Sequence, residues 1–159
     1  MWVTCYVDAS FSRGQGGAWG VWLRSARGRV VRHGLCPDYV RDSTAAELAA
    51  VYAGVYLAQR TWPETRGVLV CSDCQAALQW AQPGGPHARR GARRVQEKLH
   101  ALVSDLDIAI QCKWVKGHQP ARSSTAAYLN HHCDRMAVRA RRQKVEATRT
   151  EARRKRGQK

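Results

Sequence analysis

The first third of the chain alternates between apolar and polar positions, a pattern typical of β-strands that bury one face. It predicts a first strand from Trp2 to Asp8, a second from Ala18 to Leu23 and a third from Arg29 to about Leu35. The segments between these runs are short and contain glycine or a basic turn. Because short connections join antiparallel neighbours, the three strands are predicted to form an antiparallel meander.

The spacing of the apolar residues changes to that of a helix from Ser43 or Thr44 onwards. Thr44-Ala45-Ala46-Glu47 has the form of a capping box, and a helix is predicted from there to about Arg60. Its core face would carry Leu48, Val51 and Val55. The rest of the chain predicts a strand at Gly67–Ser72, a short helix at Gln75–Ala81, a basic helix at about Ala88–Ser104, a strand at Ile108–Val115 and a helix from near Ala126 through Asp134.

This order of elements predicts an α/β fold. The expected sheet is mixed and five-stranded, with three antiparallel strands followed by parallel strands, and helices flank it. Its functional site is expected at the carboxyl ends of the strands. The chain has 159 residues, and we place one domain at residues 1–142. Residues 143–159 form a basic C-terminal arm without an apolar stripe, for which a helical extension and a disordered segment both remain open.

The chain is strongly basic. It has 27 Lys and Arg residues against 12 Asp and Glu residues, which gives a formal net charge of +15. A field of this sign attracts polyanions and raises the rate of encounter with them, so nucleic acid is the expected partner. A charge that serves only solubility, part of it in the arm, is the alternative.

Membrane and zinc-binding classes find little support in the sequence. No apolar run approaches the ~20 residues of a membrane span, so no membrane contact and a cytoplasmic location are expected. Cys71 and Cys74 form a C-x-x-C pair, but no second pair stands at zinc-site spacing. His131 and His132 lie beside Cys133, again in no standard zinc pattern. Reduced cysteines are therefore expected.

Four acidic residues stand out by their placement. Asp8 ends the first predicted strand, Asp73 ends the fourth, Glu47 lies in the first turn of the first long helix and Asp134 lies in the last helix. Each has an ordinary explanation as a turn, cap or ion-pair residue. In a fold that aligns these strands the four acids would converge, and converging carboxylates repel one another unless a cation is present. Oxygen ligands of this kind suit Mg²⁺ or Mn²⁺.

Five short motifs carry a family resemblance. They are Tyr6-Val7-Asp8-Ala9-Ser10, Thr44-Ala45-Ala46-Glu47-Leu48, Cys71-Ser72-Asp73-Cys74-Gln75, Trp114-Val115-Lys116-Gly117-His118 and Cys133-Asp134-Arg135-Met136-Ala137. In this order they resemble the signatures of type 1 ribonuclease H, over about residues 2 to 142. The Trp-Val-Lys-Gly-His block is specific, whereas the strand-end Asp motifs are weak individually. The resemblance implies an RNase H-like fold and an endoribonuclease that hydrolyses the RNA strand of RNA–DNA hybrids.

The resemblance also assigns roles to the four acids. It implies that Asp8, Glu47, Asp73 and Asp134 are catalytic and bind metal. Two Mg²⁺ ions, with Mn²⁺ as a substitute, would lie roughly 3.5–4 Å apart and flank the scissile phosphate. One ion would activate the attacking water, and the other would stabilise the leaving 3′ oxygen. The implied products carry a 5′-phosphate and a 3′-hydroxyl.

Three histidines are candidates for a role beside the acids. The resemblance implies that His118 assists proton movement or product release. The loop between His118 and Asp134 is longer than is usual in the family, so His131 and His132 remain alternatives for this role.

Substrate contacts follow partly from the resemblance and partly from the charge. RNA must be recognised through its 2′-hydroxyl groups and groove shape, whereas phosphate contacts are largely independent of sequence. The candidate substrate-binding residues are Ala9, Ser10, Ser43, Thr44, Gln75, Arg89, Arg90, Arg93, Arg94, Lys116 and Asn130. Three departures from the family pattern bear on recognition. Ala9 replaces the glycine of many relatives, Ser43-Thr44 replaces Asn-Asn, and the basic helix is a reduced handle.

The basic arm has no counterpart in the core family pattern, and our hypothesis is that it strengthens hybrid binding and partly replaces the missing handle.

Competing interpretations are a non-catalytic hybrid-binding module on the same fold, another nuclease of the superfamily, or a module cut from a larger polymerase. The initial methionine and the compact length favour a stand-alone protein. We expect a monomer without an obligate protein partner.

Overall fold

The computed structural model describes residues 1–156 of the chain. Its elements are β1 (Trp2–Ser12), β2 (Gly16–Ser25), β3 (Gly28–Leu35), α1 (Ser43–Thr61), β4 (Gly67–Ser72), α2 (Gln75–Ala81), α3 (Arg90–Asp105), β5 (Ala109–Trp114) and α4 (Thr125–Arg156). A short 3-10 turn at Ala121–Ser123 precedes α4. The last three residues of the predicted arm, 157–159, lie outside the described residues.

The five strands form one sheet in the order β3-β2-β1-β4-β5. The pairs β1–β2 and β2–β3 are antiparallel, and the pairs β1–β4 and β4–β5 are parallel. This arrangement confirms the predicted mixed sheet flanked by helices. Among residues 1–156 there is no helix with the length and apolar character needed to cross a bilayer.

Helices cover both faces of the sheet. Gly54 of α1 lies against Cys5 and Val7 of β1, so close that a methyl group at residue 54 would overlap the Cys5 sulfur. On the opposite face α4 crosses β2 at Gly20, where a methyl group would overlap the backbone carbonyl oxygen of Cys133. These two close approaches set the distances of α1 and α4 from the sheet.

The first strand is longer than the alternation predicts. Asp8 is not its last residue, because the antiparallel pairing with β2 persists from Thr4 opposite Arg24 to Ser12 opposite Gly16. The parallel pairing with β4 does end earlier, at Tyr6 opposite Cys71. Asp8 therefore lies just beyond the parallel ladder but within the strand.

The capping box predicted at Thr44 and Glu47 is wrong. Helix α1 begins at Ser43, and its N-cap is Asp42, whose carboxylate accepts a 2.8 Å hydrogen bond from the backbone N–H of Ala45. A carboxylate at this position satisfies a free N–H group of the first turn. Glu47 lies just beyond the first turn of α1 in which it was predicted, so it has no capping role and its side chain is available for the site.

The last helix is continuous from Thr125 to Arg156 and so includes most of the predicted arm. Its first half is buried on the sheet through residues such as Leu129, Cys133 and Ala137. Its second half is almost entirely exposed. Of the two alternatives for the arm, the helical extension is the one found as far as residue 156.

The approach of α4 to Gly20 yields a stability prediction. Gly20→Ala should lower the free energy of unfolding by about 2–3 kcal/mol, because the backbone of α4 must move away from the sheet to admit the methyl group. Urea denaturation followed by circular dichroism measures this change. Ala101→Ser is the control, since Ala101 is exposed on α3 and the added oxygen atom there meets solvent. Equal stabilities for Gly20→Ala and the wild type would refute the packing argument.

Candidate active site

The parallel register of the sheet places two acids side by side. Tyr6 of β1 lies opposite Cys71 of β4, and each strand is followed two residues farther on by an aspartate, Asp8 and Asp73. Glu47 reaches the same point from the first half of α1. The three side chains can each offer a carboxylate oxygen such that all three oxygens lie within 4.8 Å of one another.

The environment of this cluster opposes ionisation. Burial raises the pKa of Asp8 to about 7, and the neighbouring Asp73 carboxylate adds to the effect. Burial also raises the pKa of Glu47 well above its ordinary value, with Asp8 as the next cause. Asp8 is only 7% exposed. The scaffold therefore gathers carboxylates in a place where their simultaneous ionisation is electrostatically unfavourable.

The donor set fits a divalent cation. All three ligands are carboxylate oxygens, which hard cations such as Mg²⁺ and Mn²⁺ prefer. The Oε2 atom of Glu47 is buried and has no hydrogen-bond partner among the described residues. An acceptor left without a donor inside a protein is costly, and a cation would satisfy it.

The fourth predicted acid lies in the same cavity but outside the close group. Asp134 follows Cys133, the residue at which α4 crosses Gly20, and Gly20 pairs with Asp8 in the sheet. Packing of α4 thus delivers Asp134 to the site. The cavity has a volume of about 310 Å³, and its lining residues are Asp8, Ala9, Glu47, Asp73, Lys116, His118, Gln119, Ala127, Asn130, His131 and Asp134.

Asp73 is fixed from three directions. The side-chain amide of Asn130 donates to its Oδ2 atom at 3.3 Å, and the indole N–H of Trp114 donates to its backbone carbonyl at 3.0 Å. Gly117 lies so close that a methyl group there would overlap the same carboxylate oxygen. On the other strand, the backbone N–H of Ala9 donates to Asp8 Oδ1 at 2.8 Å.

Two of the three candidate histidines line the cavity, and they are His118 and His131. His132 lies outside it and stacks on Tyr128, with ring centroids 6.3 Å apart. His118 has a φ of 55°, a left-handed conformation that is uncommon for a residue other than glycine. His118 and His131 are therefore the two of the three that lie at the acidic cavity.

The predicted substrate contacts divide into two groups. Ala9, Lys116 and Asn130 line the acidic cavity. The others lie outside it, and they are Ser10, Ser43, Thr44, Gln75, Arg89, Arg90, Arg93 and Arg94. The Ser10 hydroxyl accepts a hydrogen bond from Arg141. The Arg94 guanidinium stacks 4.2 Å from the ring centroid of Tyr39, so it already has a partner within the fold.

Sequence reasoning missed several residues that shape the site. Trp114 and Gly117 belong to the recognised motif, but their hold on Asp73 depends on the path of the loop after β5. Gln119 and Ala127 line the cavity without any signal in residue type. Arg141 is one of several basic residues near the arm in the sequence, and only the structure shows that it binds β1.

Comparisons with known proteins agree with this geometry. The family model described as RNase H matches residues 2–142. Among solved structures, the N-terminal RNase H domain of Rv2228c from Mycobacterium tuberculosis is similar with a TM-score of 0.68 and 20% identity, covering 92% of this chain and 98% of that one. RNase H1 from the archaeon Halobacterium salinarum gives a TM-score of 0.65 at 20% identity, over 88% of this chain and 97% of that one.

A third similar structure is LC11-RNase H1, a protein isolated from compost by a metagenomic approach and solved in complex with an RNA/DNA hybrid. It has a TM-score of 0.70 and 11% identity, and the match covers 90% of this chain and 99% of that one. None of the curated proteins matches the chain. The match over residues 2–142 shows that this chain belongs to the RNase H family.

Proposed function

We propose that this ribonuclease H cuts the RNA strand of RNA–DNA hybrids at the cluster formed by Asp8, Glu47 and Asp73. The observation that carries the proposal is the convergence of three carboxylates within 4.8 Å in a chain of the RNase H family. The hybrid bound to LC11-RNase H1, a protein of the same fold, supports the choice of substrate.

The cluster would hold divalent cations, and two Mg²⁺ ions are the proposed number. Asp8, Glu47 and Asp73 would be ligands, and Asp134 would join them from α4. Mg²⁺ bound there would lower the pKa of an attacking water and stabilise the charge on the leaving oxygen. Attack on the phosphorus with loss of the 3′ oxygen leaves a 5′-phosphate and a 3′-hydroxyl.

Residues around the cluster would orient it. Asn130 donates to the side chain of Asp73 and Trp114 donates to its backbone carbonyl, and these two bonds would help to orient the carboxylate. The N–H of Ala9 does the same for Asp8. Pre-orientation of charged groups lowers the cost of reaching the transition state. Asn130, predicted as a substrate contact, is therefore proposed to act at least partly through Asp73.

Other residues of the cavity would handle the substrate. Lys116 is exposed at the cavity wall, where its ammonium group would pair with a phosphate near the cleaved bond. His118 or His131 would shuttle a proton to or from the reacting phosphate group. Ser43, Thr44 and Gln75 lie at the starts of α1 and α2, where they would contact the RNA strand and its 2′-hydroxyl groups.

The proposal predicts a specific pattern of cleavage. With Mg²⁺, the protein should cut the RNA of a labelled RNA–DNA hybrid and leave single-stranded RNA, duplex RNA and duplex DNA intact. Asp8→Asn should lower the rate by about 10³-fold or more, because it removes a charged metal ligand. Asp105→Asn is the matched control, since Asp105 is an exposed aspartate at the end of α3. Tight hybrid binding without cleavage under Mg²⁺ or Mn²⁺ would instead favour a non-catalytic module.

The raised pKa of Asp8 predicts how stability depends on pH. Without metal, the folded chain binds a proton at Asp8 up to about pH 7, whereas the unfolded chain releases it near pH 4. The folded state thus holds more protons between these values, so the free energy of unfolding should fall as pH rises from about 4 to about 7. Above about pH 7 the Asp8 carboxyl is ionised in both the folded and the unfolded chain, so its contribution to the free energy of unfolding no longer changes with pH.

Denaturant unfolding in chelator, at a series of pH values, measures this fall. The fall should be smaller in Asp8→Asn, which carries no titrating group at this position, and Mg²⁺ should reduce it in the wild type. Asp105→Asn should keep the slope of the wild type. A slope that is identical in Asp8→Asn and the wild type would contradict the electrostatic account of the site.

A further inference from the structure

A second and larger cavity lies beside β1, away from the acidic cluster. We call it the basic groove, with a volume of about 630 Å³. One wall is the turn between β1 and β2, another is the loop between β3 and α1, and the third is α4 beyond residue 142. The family model ends at residue 142, so this third wall belongs to the part of the chain outside the match.

The third wall is docked on the sheet at its start. Arg141 donates from Nε to the Ser10 hydroxyl at 2.9 Å and from a terminal nitrogen to the side-chain oxygen of Gln15. The Lys144 ammonium nitrogen lies 3.4 Å from the position that a methyl group would take at Gly16. The helix therefore leaves the family domain in a fixed direction along β1, and the groove is a built feature of the fold.

The rim of the groove is strongly positive. Arg13, Arg41, Lys144 and Arg149 line it, and Asp38 is the one acidic residue among residues 1–156 that does so. In the same part of the chain none of these four basic side chains forms an ion pair. Four cations around one groove, with only Asp38 beside them among the described acidic residues, repel one another, so an anion in the groove would be stabilised.

The floor of the groove is next to the helix that carries Glu47. Cys36, on the floor, lies near Ala46, since a methyl group at Gly17 would contact both side chains. Ala46 immediately precedes Glu47. The groove and the acidic cluster are therefore neighbours at the start of α1, within reach of one extended ligand.

We propose that the basic groove binds backbone phosphates of the substrate duplex, so that α4 beyond residue 142 forms a wall of the substrate-binding surface. The inference rests on the proposed function for the identity of the duplex. Phe11 follows Asp8 by three strand residues, or roughly 10 Å, and Arg13 lies in the turn just after β1, at most about 16 Å from Asp8 along the chain. This distance corresponds to about three to five base-pair steps, so a duplex held at the cluster reaches the groove without a second binding event.

The test removes positive charge from the rim of the basic groove and measures the affinity for the hybrid. Lys144→Gln/Arg149→Gln removes two rim cations from the third wall. Affinity for an RNA–DNA hybrid of about 20 base pairs, roughly two helical turns, is measured by fluorescence anisotropy in chelator at several salt concentrations. We expect affinity at low salt to fall about tenfold. The slope of log K against log salt should become shallower by ~0.9 for each phosphate that the groove no longer neutralises.

Two control variants remove the same amount of charge elsewhere. Arg60→Gln/Arg66→Gln changes two exposed arginines at the opposite end of the sheet, and Arg153→Gln/Arg154→Gln changes two at the far end of α4. Thr148→Trp keeps the charge but fills the groove, since Thr148 lines it. We expect Thr148→Trp to weaken hybrid binding. We expect both control variants to lower the affinity less than Lys144→Gln/Arg149→Gln does.

Four outcomes are decisive. A decrease of affinity and slope confined to the rim variant, with Thr148→Trp also weakened, supports the groove. An equal decrease in the rim variant and in either control overturns it, because general charge then accounts for binding. Cleavage of the hybrid by the wild type is measured in the same preparations. Its absence refutes the proposed function, whereas intact cleavage with unchanged affinity in the rim variant refutes the groove alone.

Discussion

Repulsion among buried carboxylates is the constraint on which the rest of this structure depends. The scaffold brings Asp8, Glu47 and Asp73 within 4.8 Å and buries them enough to raise the pKa of Asp8 to about 7. Nothing in folding alone favours this arrangement, since each ionised carboxylate raises the energy of the others. A cation bound at the site would offset this repulsion energy, because the same carboxylates attract a positive charge.

Strand pairing and close packing of the helices on the sheet maintain this arrangement. The parallel register sets Asp8 beside Asp73, and the glycines at residues 20 and 54 let α4 and α1 approach the sheet closely enough to deliver Asp134 and Glu47. The same helix α4 then continues past the family domain and borders the basic groove. One element thus connects a negative centre, suited to cations, with a positive surface suited to phosphates.

Sequence patterns predicted the strands of the sheet and the positions of the acidic residues on them because both are visible in short segments of the sequence. Alternation and the change to helical spacing fix which segment is a strand or helix, and a strand-end aspartate is visible from its neighbours. The length of β1 was missed because its extension depends on pairing with β2, and the capping box was wrong because Asp42 competes for the same N–H groups. The contacts of Trp114 and Gly117 with Asp73 depend on the path of the loop after β5, and the spacing of apolar residues does not predict that path.

The most direct test of the central claim is calorimetric titration of Mg²⁺ into the protein at pH 7, in buffers with different ionisation enthalpies. If a cation replaces protons held by the repelling carboxylates, binding should release protons, because a substantial fraction of Asp8 is protonated near its pKa of about 7. Less proton release is expected in Asp8→Asn. Binding that releases no protons, or an absence of binding to the wild type, would contradict the account.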